Sequence, residues 1–264
     1  MIELSLETLL LIGAIFLLAA FFHGSIGFGF PMIATPLLAL STSLQSAIIL
    51  TLLPTTFVNL TSIANEGQFL RAFRKHLPLA LCAMTGSAIG TQVLIITNSE
   101  LFKVLLAVAI LGYLMIDKFQ VRLLWVERRP NLSMMIFGLT AGVLGGLTNV
   151  MAPVLIIYSL EAKLEKTEIV QLANICFLFG KAIQLVLFTL NGKFTFNDLI
   201  LSSTMLLLVL IALFAGFKIK RRIQQQTYKR VLRTFLFFLS LSLVYQVITN
   251  TLSISPSIND VGDH

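Results

Sequence analysis

The chain has 264 residues, a formal net charge of +7, 57% hydrophobic residues and 12% charged residues. A soluble domain carries about 25% charged residues, so water cannot solvate this surface and lipid must cover it. The length fits eight to ten membrane crossings of about 20 residues each. The positive charge reads as loop residues that set orientation, not as a nucleic-acid footprint.

The first apolar run covers 8–23. It is preceded by Glu3 and Glu7 instead of a basic segment, and no clean small-x-small cleavage site follows, so it reads as a retained span. It leads into Gly24-Ser25-Ile26-Gly27-Phe28-Gly29-Phe30-Pro31 and a short run at 26–40 that holds Pro36. Runs at 44–64, 77–97 and 101–117 follow. The segment 119–132, with Trp125, Arg128, Arg129 and Pro130, reads as a linker. Beyond it lie 133–147 and 150–160, broken by Ala141-Gly142-Val143-Leu144-Gly145-Gly146-Leu147-Thr148-Asn149 and followed by Pro153. Further runs cover 168–190, 198–217 and 231–250. The runs 26–40, 133–147 and 150–160 are too short to cross about 30 Å of hydrocarbon, so they are expected to be half-helices or re-entrant arms.

The two glycine-rich stretches repeat. A shift of 117 residues sets Pro36 on Pro153, Gly29 on Gly146 and Ser25 on Gly142. Paired helix breaks in corresponding halves point to a transporter's binding site.

Basic residues fix the orientation. Arg71, Arg74 and Lys75 form one group; Lys118, Arg122, Arg128 and Arg129 a second; Lys163 and Lys166 a third; Lys218 to Arg233 a fourth. Together they hold 16 of the 19 Lys and Arg residues, with Lys103 and Lys193 in two other connections and Lys181 inside a span. Placing the four groups in the cytoplasm gives opposite orientations to 1–118 and 133–252, with both termini, including the tail 253–264, outside. The expected fold is an all-α, polytopic membrane helical bundle of two inverted-topology repeats. Each repeat is a broken or re-entrant hairpin plus three transmembrane helices, and 119–132 is the cytoplasmic linker.

The paired motifs, the two-half layout and the length resemble the sulfite exporter TauE/SafE family of bacterial and archaeal membrane permeases. Lys181, in Phe179-Gly180-Lys181, is similar to the family's second-half pattern. The resemblance implies a multi-pass protein of the bacterial or archaeal inner membrane that carries sulfite, thiosulfate, an organosulfonate or another small organic anion.

The residues support an anion site on their own terms. A broken helix is tolerated in a bilayer only inside protein or along a wet cavity, and the start of its second half offers free amides and about +0.5 charge. The candidate shell is Lys181, Ser25, Gly27, Gly29, Gly145, Gly146, Thr148, Asn149, Asn174 and Gln184. Asn174, Lys181 and Gln184 share one helix face. Lys181 has no Asp or Glu at mid-span in any run, so a substrate anion is its expected partner; the same lack of acids argues against cation transport. His23, beside the first break, is a candidate for proton coupling.

Simpler readings stand beside these. The glycines would also serve close helix packing, and Lys181 would also cap broken-helix carbonyls. Cys82 and Cys176 read as inert packing residues. No P-loop, dinucleotide fingerprint, catalytic set or metal spacing is present, so no cofactor, no metal and no enzyme activity are expected. The expected partners are a small anion and the bilayer, without nucleic acid. A coupling proton or sodium ion and a homo-oligomer stay open. A secondary carrier moving its two halves around the site is the preferred function; an anion channel and a non-transporting scaffold subunit are the alternatives.

Overall fold

The computed structural model describes residues 6–97, 101–115 and 123–220, and positions 234, 237, 240, 241, 244 and 245. Regular structure among the described residues is helical throughout: α1 Leu6–Ile26, α2 Phe30–Ala39, α3 Leu44–Glu66, α4 Phe69–Thr97, α5 Leu101–Met115, α6 Leu124–Arg128, α7 Pro130–Thr148, α8 Ala152–Glu161, α9 Lys166–Leu190 and α10 Phe196–Lys220. Six of these (α1, α3, α4, α7, α9 and α10) are long and apolar enough to cross a membrane. Most of the expected span 231–250, the tail 253–264 and most of the basic segment 218–233 lie outside the described residues.

Local chemistry sets the boundaries. Ser43 caps α3, its Oγ accepting the Ser46 amide at 3.1 Å. Glu165 caps α9, and its own amide donates to Glu168 three residues on, at 3.4 Å. Pro31 and Pro153 stand in the first turns of α2 and α8, where a missing N–H costs nothing. These two helices have 10 residues each, about 15 Å of rise, and are half-helices as expected.

The second break does not fall in the glycine run. Gly142, Gly145 and Gly146 lie inside α7, which has 19 residues and is not a half-helix. The chain turns instead at Asn149, whose φ of 67° ends α7. The register between the halves changes accordingly. One offset of 122 residues, not 117, relates Gly27 to Asn149 (both with positive φ), the cap Gly29 to the cap Met151, Pro31 to Pro153, and the cap Ser43 to the cap Glu165. Two other expectations shift. Lys103 is buried in α5, not in a connection, and Arg71, Arg74 and Lys75 lie in the first turns of α4. Within the expected linker, α6 is held to the fold: the Leu123 amide donates to Glu161 at 2.5 Å and Trp125 stacks on Phe137 at 5.9 Å.

Two glycine seams join the halves. Along α1 and α10, a Cβ on Gly24 would meet Leu213 O at 2.3 Å, and one on Gly216 would meet Phe21 O at 2.4 Å. Along α4 and α7, a Cβ on Gly142 would meet Ala83 O at 2.1 Å, and one on Gly90 would meet Val143 O at 2.3 Å. Small residues let these backbones touch, which is how helices associate in lipid. Contacts climb both chains together in each seam, Gly13 near Met205 below Gly24 near Leu213, and Gly138 near Cys82 below Gly146 near Thr91. Each pair is therefore parallel, and each takes one helix from either half.

The helices α3 and α9 fill the centre. A cavity of about 620 Å³, lined by Glu66, Arg71, Lys75, Lys163 and Glu168, gathers the end of α3 and the start of α9. A second of about 580 Å³, lined by Ser43, Ser46, Lys193 and Asp198, gathers the start of α3 and the chain just after α9. The two helices thus run in opposite directions between two cavities. Ion pairs Lys75–Glu168 and Lys220–Glu66 brace the first end.

Candidate functional site

Both chain breaks rest against α9. At the first, Gly27 and Gly29 have φ of 105° and 111°, conformations open to glycine at little cost. The loosened backbone is held by side chains. His23 Nδ1 accepts the Phe30 amide at 3.1 Å, and Asn174 Nδ2 donates to Gly27 O at 2.6 Å. Because Nδ1 of His23 accepts, its proton sits on Nε2, which donates to Ser62 Oγ at 2.9 Å. His23 is thus a neutral, buried brace of the break. Its expected role in proton coupling is a separate matter that these contacts do not test.

At the second break, Asn149 is the hub. Its Nδ2 donates to Thr35 at 2.7 Å and to Thr51 at 3.0 Å. Its Oδ1 accepts from Lys181 Nζ. Lys181 also donates to Gln184 Oε1, and Gln184 Nε2 faces the carbonyls of Gly145 and Gly146 at 3.4 Å. Lys181 is 1% exposed. Among the described residues, its hydrogen bonds go to two neutral amides and to no carboxylate. Asparagine suits the hub because it tolerates the left-handed backbone and carries both a donor and an acceptor.

The expected shell divides. Lys181, Asn149 and Gln184 form one connected cluster. Asn174 and Gly27 belong to the first break, where Gly29 caps α2. Gly145 and Gly146 contribute carbonyls, not amides, and Gly146 also packs on Ser87 and Thr91 of α4. Thr148 bonds its own helix at Leu144 O, 2.7 Å, and accepts the Val150 amide at 3.3 Å. Ser25 bonds Phe21 O at 2.8 Å inside α1. Breaks rich in free amides were expected; the Phe30 and Val150 amides are already satisfied by side chains.

Nothing in the sequence marks Thr35, Ser62 and Ser87 as cluster members. Ser87 donates to Gly180 O at 3.3 Å, steadying the turn before Lys181. Each is a hydroxyl in a largely apolar run, and in the sequence such a hydroxyl looks the same whether it bonds its own helix or a distant one. Cys176 is buried and Cys82 partly so, and both are free thiols.

Comparison with curated proteins and with solved structures returns no match. The sequence model described as sulfite exporter TauE/SafE matches residues 12–243, nearly the whole described fold. With six apolar helices of spanning length and that match, this is a multi-pass plasma-membrane transporter, and the chain belongs to the sulfite exporter TauE/SafE family.

Proposed function

We propose that the chain is a secondary transporter that carries sulfite, thiosulfate or an organosulfonate at Lys181, between two inverted repeats. The observation that carries this reading is the surroundings of Lys181. A lysine ammonium inside a membrane helix costs about 2.5–3.5 kcal/mol on insertion scales. Two amide oxygens spread that charge but do not cancel it. A small anion does, and an oxyanion adds several acceptors for the ammonium.

The inverted arrangement is supported by three features. The halves share the 122-residue offset, α3 and α9 run oppositely, and offset-related caps line the two cavities, Ser43 in one and Glu165 in the other. Lys181 lines neither cavity, which fits a closed carrier with the charge sealed between two vestibules. The glycine seams argue for a change in which parts move. Sequence halves sliding past each other would tear α1 from α10 and α4 from α7. We assign the rocking motion to these mixed pairs, turning about the central α3 and α9.

The test is transport by purified protein in proteoliposomes loaded with sulfite. A carrier shows saturable uptake of labelled sulfite and counterflow driven by unlabelled anion inside. Flux that neither saturates nor shows counterflow makes the protein a channel; no flux of any sulfur oxyanion or sulfonate overturns the reading.

A further inference from the structure

The offset that pairs the breaks also pairs Lys181 with Asn59 and Gln184 with Ser62. The second pairing is visible in contacts. Gln184 reaches Gly145 O at 3.4 Å, and Ser62 reaches His23, the offset counterpart of Gly145, at 2.9 Å. By the same offset Asn59 corresponds to Lys181 and Gly27 to Asn149. The two places differ in charge and reach. Lysine brings a tethered cation to the end of α7. Asparagine brings none to the end of α1, and its side chain is shorter by two bonds.

What surrounds the shorter side chain is under-satisfied. Both amide atoms of Asn59, Oγ1 of Thr55 one turn earlier, and Oδ1 of Asn174 lack hydrogen-bond partners among the described residues. All three side chains are fully buried. Buried polar groups are almost always paired, so orphans on the two helices beside one chain break point to a missing ligand.

We propose that the first break binds a sodium ion, held by side-chain oxygens of Asn59, Asn174 and Thr55 and by backbone carbonyls at the C-terminal end of α1. This rests on the anion-carrier reading, in which the ion is the coupling ion. The sign of charge follows from the helix ends. The last carbonyls of α1 carry about −0.5 charge. The opposing start of α2 offers little to an anion, because His23 takes the Phe30 amide and Pro31 has none. Unwound carbonyls at broken transporter helices are recurrent sodium ligands. The oxygen set holds no carboxylate, which disfavours a divalent ion. A proton would need a titratable group, and both ring nitrogens of His23 are engaged. Sodium at Asn59 and the ammonium of Lys181 together neutralise a doubly charged oxyanion.

Thermal unfolding of the purified protein without any anion, at constant ionic strength with sodium exchanged for choline or potassium, tests the ion site. Sodium is expected to raise the melting temperature of the wild type saturably, and choline and potassium are not. Asn59→Ala is expected to lose that shift. Asn59→Lys supplies the tethered cation of the second half and is expected to melt alike with and without sodium. The wild type alone decides if either variant fails to fold: no sodium-specific shift, together with equal sulfite uptake in sodium and choline, overturns the sodium site and leaves the carrier reading standing. A sodium shift without movement of any anion upholds the ion site and overturns the carrier.

Discussion

Lys181 donates to the side-chain oxygen of Asn149, and Asn149 is the residue whose left-handed backbone ends α7. The buried charge is therefore tied to the chain break itself. Whatever neutralises Lys181 also pulls on the joint between α7 and α8. Under the proposed function this gives an anion a lever on the fold, because binding and reshaping of the break share one side chain.

Asn149→Asp turns that contact into a built-in ion pair. Aspartate tolerates the left-handed backbone but loses the amide hydrogens given to Thr35 and Thr51, which offsets the gain from the ion pair, so the melting temperature should change little. A charged hydrogen bond is worth about 1.5–3 kcal/mol, and an anion must now displace it, so sulfite uptake should fall about 10- to 100-fold. Initial uptake rates in proteoliposomes measure this. Wild-type rates in the variant would show that Lys181 is not the counter-charge.

Lys181→Met keeps most of the side chain's length and removes the charge. Relief of the buried ammonium, about 2.5–3.5 kcal/mol, is offset by orphaned oxygens on Asn149 and Gln184, about 1–3 kcal/mol each. Little net change in melting temperature is expected, while anion uptake should vanish. Uptake at the wild-type rate would remove Lys181 from the transport mechanism.

Glycines differ by what surrounds them. Gly142→Ala forces a methyl to 2.1 Å from Ala83 O; overpacking of this kind costs about 1–3 kcal/mol or more. Gly67 has φ of 79° and ψ of 178°, a conformation essentially reserved to glycine, and nothing within 4 Å, so Gly67→Ala carries backbone strain alone, about 1–3 kcal/mol. Melting temperatures of the two variants should rank Gly142→Ala lower. The reverse order would mean the α4–α7 seam is loose.

The two cavities should open to opposite faces of the membrane. In a Cys82→Ala, Cys176→Ala background, Ser41→Cys should react with an impermeant maleimide only from outside the cell. Lys163→Cys should react only from the cytoplasmic side. Both positions are exposed. Labelling of the pair from one face would rule out inverted halves.

The helices themselves were legible because long apolar runs and clustered basic residues leave few ways to lie in a bilayer. Lys181 was legible for the same reason: a lone charge at mid-span advertises itself. The second break was not. Gly142 and Gly146 read as punctuation, yet inside lipid a glycine serves equally well as a flat spot for another backbone, and here it does. The true joint is Asn149 followed by Pro153, a quieter signal that only a positive φ makes plain. The 117-residue register failed with it, since Pro36 was matched where Pro31 belongs. Asn59 looks like any polar residue in an apolar run, and its kinship with Lys181 appears only once the 122-residue offset is known.

The seam between α1 and α10 has a consequence for how the protein is made. Helices leave the ribosome in order, and the groove cut by Gly24 waits for a partner, Gly216, that is synthesised 192 residues later. Until then that face of α1 must stay open to lipid, and the stretch from Leu9 to Phe22, free of any charged residue, lets it do so. The α4–α7 seam can close early, being local by comparison. The α1–α10 seam is therefore completed late, after the α4–α7 seam has closed.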